Sequence, residues 1–213
     1  MRKMAMIGLV AMLFTASASA AIVNGDWNAG EAGWTRWAAP WGAGNWAVTA
    51  NGPTPPEGTA FLNGGQQGSF GWIQIVACPE SWICTVNADW AGDIDGAGWA
   101  EVMLWSTANP DMAANINRAD VGNAADIAFK KDSWGMNPPT AWGWQPASAS
   151  PHPGGNGGTV HSLGWAVVAL KAGSVSGAAV WTSWDNIRLD CTPEPTAALL
   201  LGIPALFLRR RRA

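Results

Sequence analysis

The chain has 213 residues, among them 26 glycines, 14 prolines, 16 tryptophans and no tyrosine, and its formal net charge is −3. Half of the twelve basic residues lie at the two ends, so residues 21–192 carry 6 positive and 14 negative charges, a net charge of −8. This acidity argues against a nucleic-acid partner, which needs a basic surface. Sparse charge with abundant glycine and proline favours short strands joined by turns, and about 170 residues suffice for one domain with its own core.

Residues 1–20 show the order of features found in a secretory signal peptide. Arg2 and Lys3 make a basic start, and residues 4–14 form a short apolar stretch. The small residues that define the expected signal-peptidase site are Ala18, Ala20 and Ala21, with cleavage after the second of them. An uncleaved membrane helix is the alternative, but the apolar stretch is short for one. We therefore expect an exported protein in an oxidising compartment.

Short apolar segments separated by turn residues run through residues 21–191. The clearest lies at 68–90, where a Pro-containing turn separates two stretches of β-branched and aromatic residues, and residues 98–106 alternate as well. Weaker strand patterns occur at residues 22–23, 59–62, 160–170 and 178–189. Many short strands of this kind predict an all-β domain, an antiparallel β-sandwich or barrel.

The stretch between residues 107 and 159 shows no helical period of three turns. Residues 126–130 are compatible with a short helix or a strand, and the Pro/Gly/Ser-rich segment 138–158 is interpreted as a long loop. Loops of this length are commonly functional. This one carries Trp142 and Trp144.

Indole rings bind sugar rings through their flat faces and also fill protein cores, so the position of each tryptophan decides its interpretation. Those in strand patterns are expected to pack in the core: Trp72, Trp99, Trp105, Trp165 and Trp181. Those in loops are the candidate carbohydrate-binding residues: Trp41, Trp134, Trp142 and Trp144. Loops folded back onto the sandwich would bury these four as well, so packing is the alternative for them.

Three short motifs carry a resemblance to a known fold. VNGDW near the mature start, GWIQIV in the middle and WDNIRL near the end are similar to segments of jelly-roll, galactose-binding-like modules. The resemblance implies a jelly-roll β-sandwich over residues 21–191. It also implies a structural calcium ion between the N-terminal stretch and the last strand, with Asp26 and Asp185 as the matching carboxylates. The alternative is that both are ordinary turn acids.

Three cysteines permit three different single disulfides and leave one thiol over. Cys78 and Cys84 flank a short turn, so a hairpin return would bring them within bridging distance, and we predict this pair. Cys191 follows the last strand and could meet either of them, and buried free thiols are a further alternative. A zinc site is not expected, because the sequence has no Cys-x-x-Cys spacing and its two histidines stand apart.

The sequence contains no catalytic motif of the serine-hydrolase, zinc-protease or phosphate-binding types. Glycoside hydrolysis needs a carboxylate pair, and no such pair can be singled out among the acids. We therefore expect a protein that is not an enzyme.

Residues 192–213 consist of a Pro-Glu-Pro triplet, an apolar run at 196–208 and four arginines. Proline on both sides of an acid makes a rigid, extended segment, and basic residues after an apolar run stay on the cytoplasmic side. This order resembles the PEP-CTERM sorting signal, which implies recognition and processing by an exosortase. The residues that match the signal are Pro193, Glu194, Pro195, Arg209, Arg210, Arg211 and Arg212.

The apolar run would span roughly 20 Å as a helix, which is short of the roughly 30 Å hydrocarbon core of a bilayer. We expect a short transmembrane helix that anchors the protein transiently, followed by release to the cell surface or the extracellular space. A permanent C-terminal anchor is the alternative.

The sequence thus predicts an exported bacterial surface or extracellular-matrix protein that signal peptidase and an exosortase process. Its β-sandwich would have a structural or adhesive role. The alternative is a carbohydrate-binding module on exopolysaccharide, and a small polysaccharide-acting enzyme is a third hypothesis.

Overall fold

The computed structural model describes residues 21–40, 44–50, 57–62, 67–134 and 141–194. The predicted signal peptide, Trp41 and the tail from Pro195 onward lie outside the described residues. The strands in the described part are β1 (Thr35–Ala38), β2 (Asn45–Thr49), β3 (Glu57–Leu62), β4 (Gly68–Ala77), β5 (Ile83–Ile94), β6 (Gly98–Thr107), β7 (Ile127–Asp132), β8 (Ala141–Pro146), β9 (Thr159–His161), β10 (Trp165–Ser174) and β11 (Val180–Thr192), with helix α1 (Met112–Val121) between β6 and β7.

These strands form two sheets in which every described pair is antiparallel. Sheet A has the order β1-β4-β10-β6-β7, and sheet B has the order β2-β3-β11-β5-β8, with β9 also paired to β5. Neighbours in space are mostly distant in sequence, since β10 lies between β4 and β6 and β11 lies between β3 and β5. The predicted antiparallel β-sandwich is confirmed, and the strand order is consistent with a jelly roll.

A chain of indole rings fills the space between the sheets. The ring centroid of Trp72 lies 5.1 Å from that of Trp27 and 6.1 Å from that of Trp184, and Trp27 stacks on Trp34 at 5.2 Å. Aliphatic side chains from alternate positions of β6 and β10 complete this core. Because each buried indole removes a large apolar area from water, these rings account for much of the adhesion between the sheets.

Helix α1 covers the outer face of sheet A, the face turned away from sheet B. Asp111 caps its start by accepting a hydrogen bond from the backbone N of Ala114 at 2.7 Å, and Gly122 ends it with a φ of 68°. Trp105 on β6 anchors the helix, since its Nε1 donates to Asn115 Oδ1 at 2.9 Å. The sequence showed no helical period of three turns over residues 107–159, and helix α1 was not predicted, because a ten-residue helix with few large apolar side chains gives only a weak period.

Three local predictions also need correction. Residues 141–146 form the edge strand β8 rather than a loop, because they pair with β5. Residues 22–23 are irregular and not part of a strand. Trp181 was expected in the core, but 42% of its surface is exposed, because alternation along β11 turns it outward while Val180 and Trp184 face the core.

The predicted Cys78–Cys84 disulfide is wrong. Cys84 and Cys191 are directly opposite each other in the pairing of β5 with β11, with their Cα atoms 4.0 Å apart, and they form the disulfide. Cys78 is a buried free thiol whose Sγ lies 3.0 Å from Cys84 Sγ. Cross-strand register therefore decided the pairing, although the turn brings all three sulfurs together.

Candidate functional site

The four candidate carbohydrate-binding tryptophans have different surroundings. Trp134 is exposed over 55% of its surface. Trp142 is half-buried on β8 and meets the core residue Trp90 with ring centroids 6.1 Å apart, so it is a packing residue. Trp144 is half-buried on the same edge strand, and Trp41 lies outside the described residues. Trp134 is therefore the best-placed member of the predicted set.

Trp134 stacks on Trp99, with ring centroids 5.9 Å apart and an angle of 29° between the planes. We call this pair the Trp99–Trp134 platform. Trp99 belongs to the outward-facing residues of β6, which alternate with the core residues of that strand. The backbone N of Trp134 donates to Asp132 Oδ1 at 2.9 Å, which fixes the turn after β7. The platform thus presents aromatic surface at the outer face of sheet A.

Gly173 on β10 makes room for the platform. A Cβ atom at this position would lie 2.3 Å from Cζ2 of Trp99, closer than any real contact. The indole therefore lies directly over the strand backbone. The interpretation of Trp99 as a packing residue is correct only in part, because its ring packs on the sheet and also supports an exposed partner.

A row of charged side chains adjoins the platform on the same face of sheet A. Glu101 lies 3.2 Å from Lys130 and 3.6 Å from Lys171, and Lys130 lies 3.6 Å from Asp132. Lys171 Nζ also donates to the backbone O of Ala119 at 3.0 Å, at the end of α1. Cations at a helix C-terminus are favourable. These mutual contacts hold polar groups in fixed positions beside the aromatic surface.

Two basic groups on or beside β7 have lowered pKa values. Burial lowers the pKa of Lys131, whose Nζ lies 5.3 Å from the ring centroid of Trp142. Burial also lowers the pKa of His152, and the nearby charge of Lys130 adds to this effect. The contact between Lys131 and Trp142 joins the edges of the two sheets, which is further evidence that Trp142 has a packing role.

The outer face of sheet B carries a second set of exposed and polar groups. Trp181 on β11 lies directly opposite Asp93 on β5, and both are exposed. Further along the same strands there is a depression of about 130 Å³. The residues that line it are Asn87, Ala88, Asp89, Pro146, Ser148, Asn186 and Arg188.

Glu57 on β3 forms the centre of a hydroxyl cluster on this face. Its Oε1 accepts hydrogen bonds from Thr49 at 2.8 Å, Thr59 at 3.1 Å and Ser183 at 3.2 Å. Its Oε2 is buried and has no hydrogen-bond partner among the described residues. Sequence reasoning missed Glu57, since a single acid at the start of a weak strand pattern carries no motif.

The two predicted calcium ligands occupy neighbouring segments but different surroundings. The backbone N of Ile187 donates to Gly25 O at 2.9 Å, which brings the N-terminal stretch onto β11. Asp26 is exposed and accepts from Asn28 Nδ2 at 2.6 Å, whereas Asp185 is fully buried and accepts from the backbone N of Asn186 at 2.7 Å. A calcium ion at these residues stays a prediction.

Only the start of the predicted sorting signal falls within the described residues. Glu194 Oε1 lies 2.8 Å from Nδ1 of His161 on β9, so the chain after β11 is held against the domain. In the described part of the chain, no helix has the length and apolar character needed to cross a membrane.

The similarity of this chain to known proteins extends only to overall architecture. No protein-family model and no curated protein matches the chain. Similar solved structures include TmCBM61 in complex with beta-1,4-galactotriose, at 14% identity and a TM-score of 0.46, with 78% of this chain and 94% of that chain covered. The K3 cleaved adhesin domain of Lys-gingipain from Porphyromonas gingivalis has 16% identity and a TM-score of 0.48, with 80% and 99% covered. A cyclase from Fischerella sp. TAU has 12% identity and a TM-score of 0.47, with 82% and 98% covered. At these values none of the three indicates what this chain binds or catalyses.

Proposed function

We propose that the protein is an exported, non-catalytic glycan-binding protein of the cell surface or extracellular matrix. The observation that carries the proposal is the Trp99–Trp134 platform, a stacked indole pair with one member exposed over 55% of its surface. Export rests on the signal-peptide pattern of residues 1–20.

An exposed indole pair suits the apolar face of a sugar ring. Exposure of the apolar indole face to water is unfavourable. A sugar ring that covers this face is therefore bound through the burial of apolar area and through C–H contacts with the electron-rich ring. Beside it, the partly exposed Lys130 can donate hydrogen bonds to hydroxyl groups, while the buried Glu101 and Asp132 hold its ammonium group in place. The net charge of −8 over residues 21–192 favours neutral glycans over strongly anionic ones.

The binding proposal is tested with the purified protein on neutral exopolysaccharide prepared from the producing bacterium. Trp134→Ala should weaken binding about tenfold or more, because about 1.4 kcal/mol of stacking is lost. Leu163→Ala is the matched control, since Leu163 is also an exposed apolar residue, at 57%. Equal binding by wild type and Trp134→Ala, measured by affinity electrophoresis and calorimetry, would contradict the proposal.

We also propose that an exosortase processes the C-terminal signal. Substitution of Pro193 and Glu194 by alanine should leave export intact and retain the protein in the membrane fraction with its arginines attached. Intact-mass measurement of the wild-type protein from a host that contains an exosortase should show a shortened C-terminus. An uncut C-terminus in that host would rule out the processing.

Absence of catalysis is part of the same proposal. Incubation of the protein with the exopolysaccharide should release no new reducing ends. Release that is abolished by one carboxylate substitution would instead support a polysaccharide-acting enzyme.

A further inference from the structure

The chain leaves sheet B close to His161. Thr192, the last residue of β11, lies directly opposite Ile83 on β5, and His161 on β9 lies opposite Ile83 from the other side. Neighbouring strands are about 4.8 Å apart, so the backbones at Thr192 and His161 are separated by roughly 10 Å. Directly opposite residues point to the same face of a sheet. The first residues of the tail are therefore within reach of the His161 side chain.

The Pro-Glu-Pro triplet has few ways to attach to the domain. Proline has no backbone N–H, so Pro193 cannot continue the hydrogen bonds between β11 and β5. The carboxylate of Glu194 is the only charged group of the triplet. Its Oε1 lies 2.8 Å from Nδ1 of His161, and 34% of the Glu194 side chain is exposed. We call this pair the His161–Glu194 contact, and it holds the acid of the triplet against β9.

An enzyme that recognises this triplet has one charged group to bind. Basic side chains bind carboxylates through charge-assisted hydrogen bonds, most strongly when both oxygens take part. One oxygen of Glu194 is already bonded to His161, so a basic group of the enzyme competes with the imidazole for it. The His161–Glu194 contact must therefore open before the triplet is bound as a free, extended segment.

We propose that His161 is a positioning residue that masks the sorting signal, so that the folded domain slows its own release from the membrane. The inference rests on the proposed exosortase processing of the C-terminal signal. Exposed ion pairs are weak, and 67% of the His161 side chain is exposed. The contact therefore opens often and slows processing only about two- to fivefold. Masking of this kind prolongs the time for which the folded domain stays tethered, without preventing its release.

The test follows the full-length chain by pulse-chase in a host that contains an exosortase, with intact mass reporting the loss of the C-terminal arginines. His161→Ala should shorten the half-time of processing about two- to fivefold. His161→Asp, which places a second carboxylate beside Glu194, should be processed at least as fast, because like charges repel. His161→Lys keeps a cationic partner for Glu194 and should restore the wild-type half-time.

Thr159→Ala is the matched control, since Thr159 is also exposed on β9 and its hydroxyl contacts Thr85 at 3.3 Å. It should be processed at the wild-type rate, and the melting temperatures of all variants should match that of wild type, because the changed side chains are exposed. Equal half-times for wild type, His161→Ala and His161→Asp, or slower processing of His161→Ala, would overturn the masking proposal and leave exosortase processing intact. An uncut C-terminus in every form would overturn both.

Discussion

Removal of Cys191 should cost less stability than the length of its disulfide loop suggests, because a second pairing is available. The Cys84–Cys191 bond closes a loop with a sequence separation of 107, which the chain-entropy model values at about 4.8 kcal/mol at 25 °C. In Cys191→Ala the free Cys78 lies 3.0 Å from Cys84, six residues away. A disulfide between these two closes a short loop worth about 2 kcal/mol.

Cys191→Ala should therefore lose roughly 2.5 kcal/mol of unfolding free energy, and Cys78→Ala/Cys191→Ala should lose roughly 4.8 kcal/mol. Urea unfolding of oxidised proteins measures both values, and peptide mapping without reductant identifies the bonds. Cys78→Ala is the control, since it keeps the native disulfide. Equal stability of the single and double variants, with no Cys78–Cys84 peptide, would refute the reasoning.

Three further predictions concern sheet A and its surroundings. Gly173→Ala should displace Trp99 and weaken exopolysaccharide binding about tenfold, whereas Gly143→Ala, where a Cβ meets no atom within 4 Å, should leave binding unchanged in calorimetry. Glu101→Gln should lower the unfolding free energy by about 3 kcal/mol, because it removes the anion from two buried or half-buried lysines. Glu31→Gln, which removes the half-buried partner of the exposed Arg36, should cost less than about 1 kcal/mol in the same urea titration. Because burial lowers the pKa of His152, the unfolded chain binds its proton more tightly, and stability should fall as the pH drops below the ordinary value of 6.5. His152→Gln should reduce that loss in urea titrations at pH 7.5 and 5.5, and an identical loss in both proteins would exclude His152 as the cause.

The sequence predicted the sandwich because alternation and turn residues are local signals. Residues 68–90 and 98–106 became β4, β5 and β6 with nearly the expected bounds. Helix α1 was missed, although Asp111 and Gly122 mark its two ends in the sequence. Capping residues support a helix only where the apolar pattern between them also indicates one. In residues 112–121 that pattern is weak, so the two caps were not recognised.

The candidate site was predicted less completely, because its parts depend on strand register. Trp134 was singled out correctly as an exposed loop residue, but its partner Trp99 was assigned to packing. Trp142 was predicted to lie in a loop. In the structure it lies on β8, which pairs with β5, and its indole contacts Trp90. Trp181 is exposed because alternation along β11 turns it to the outer face of sheet B, near the start of the strand. None of these contacts is encoded by residues close in sequence.

The cross-strand disulfide gives the junction between domain and tail a mechanical role. Cys191 lies one residue before the end of β11, and β11 is held on both sides by β3 and β5. A force applied to the chain beyond Thr192 therefore acts on the disulfide first. The hydrogen bonds of β11 cannot then be broken one after another from the end of the strand. The tension passes directly to β5, a central strand of sheet B. The last strand cannot be peeled away from its end, so a tethered protein of this design would resist shear in a flowing or swelling matrix.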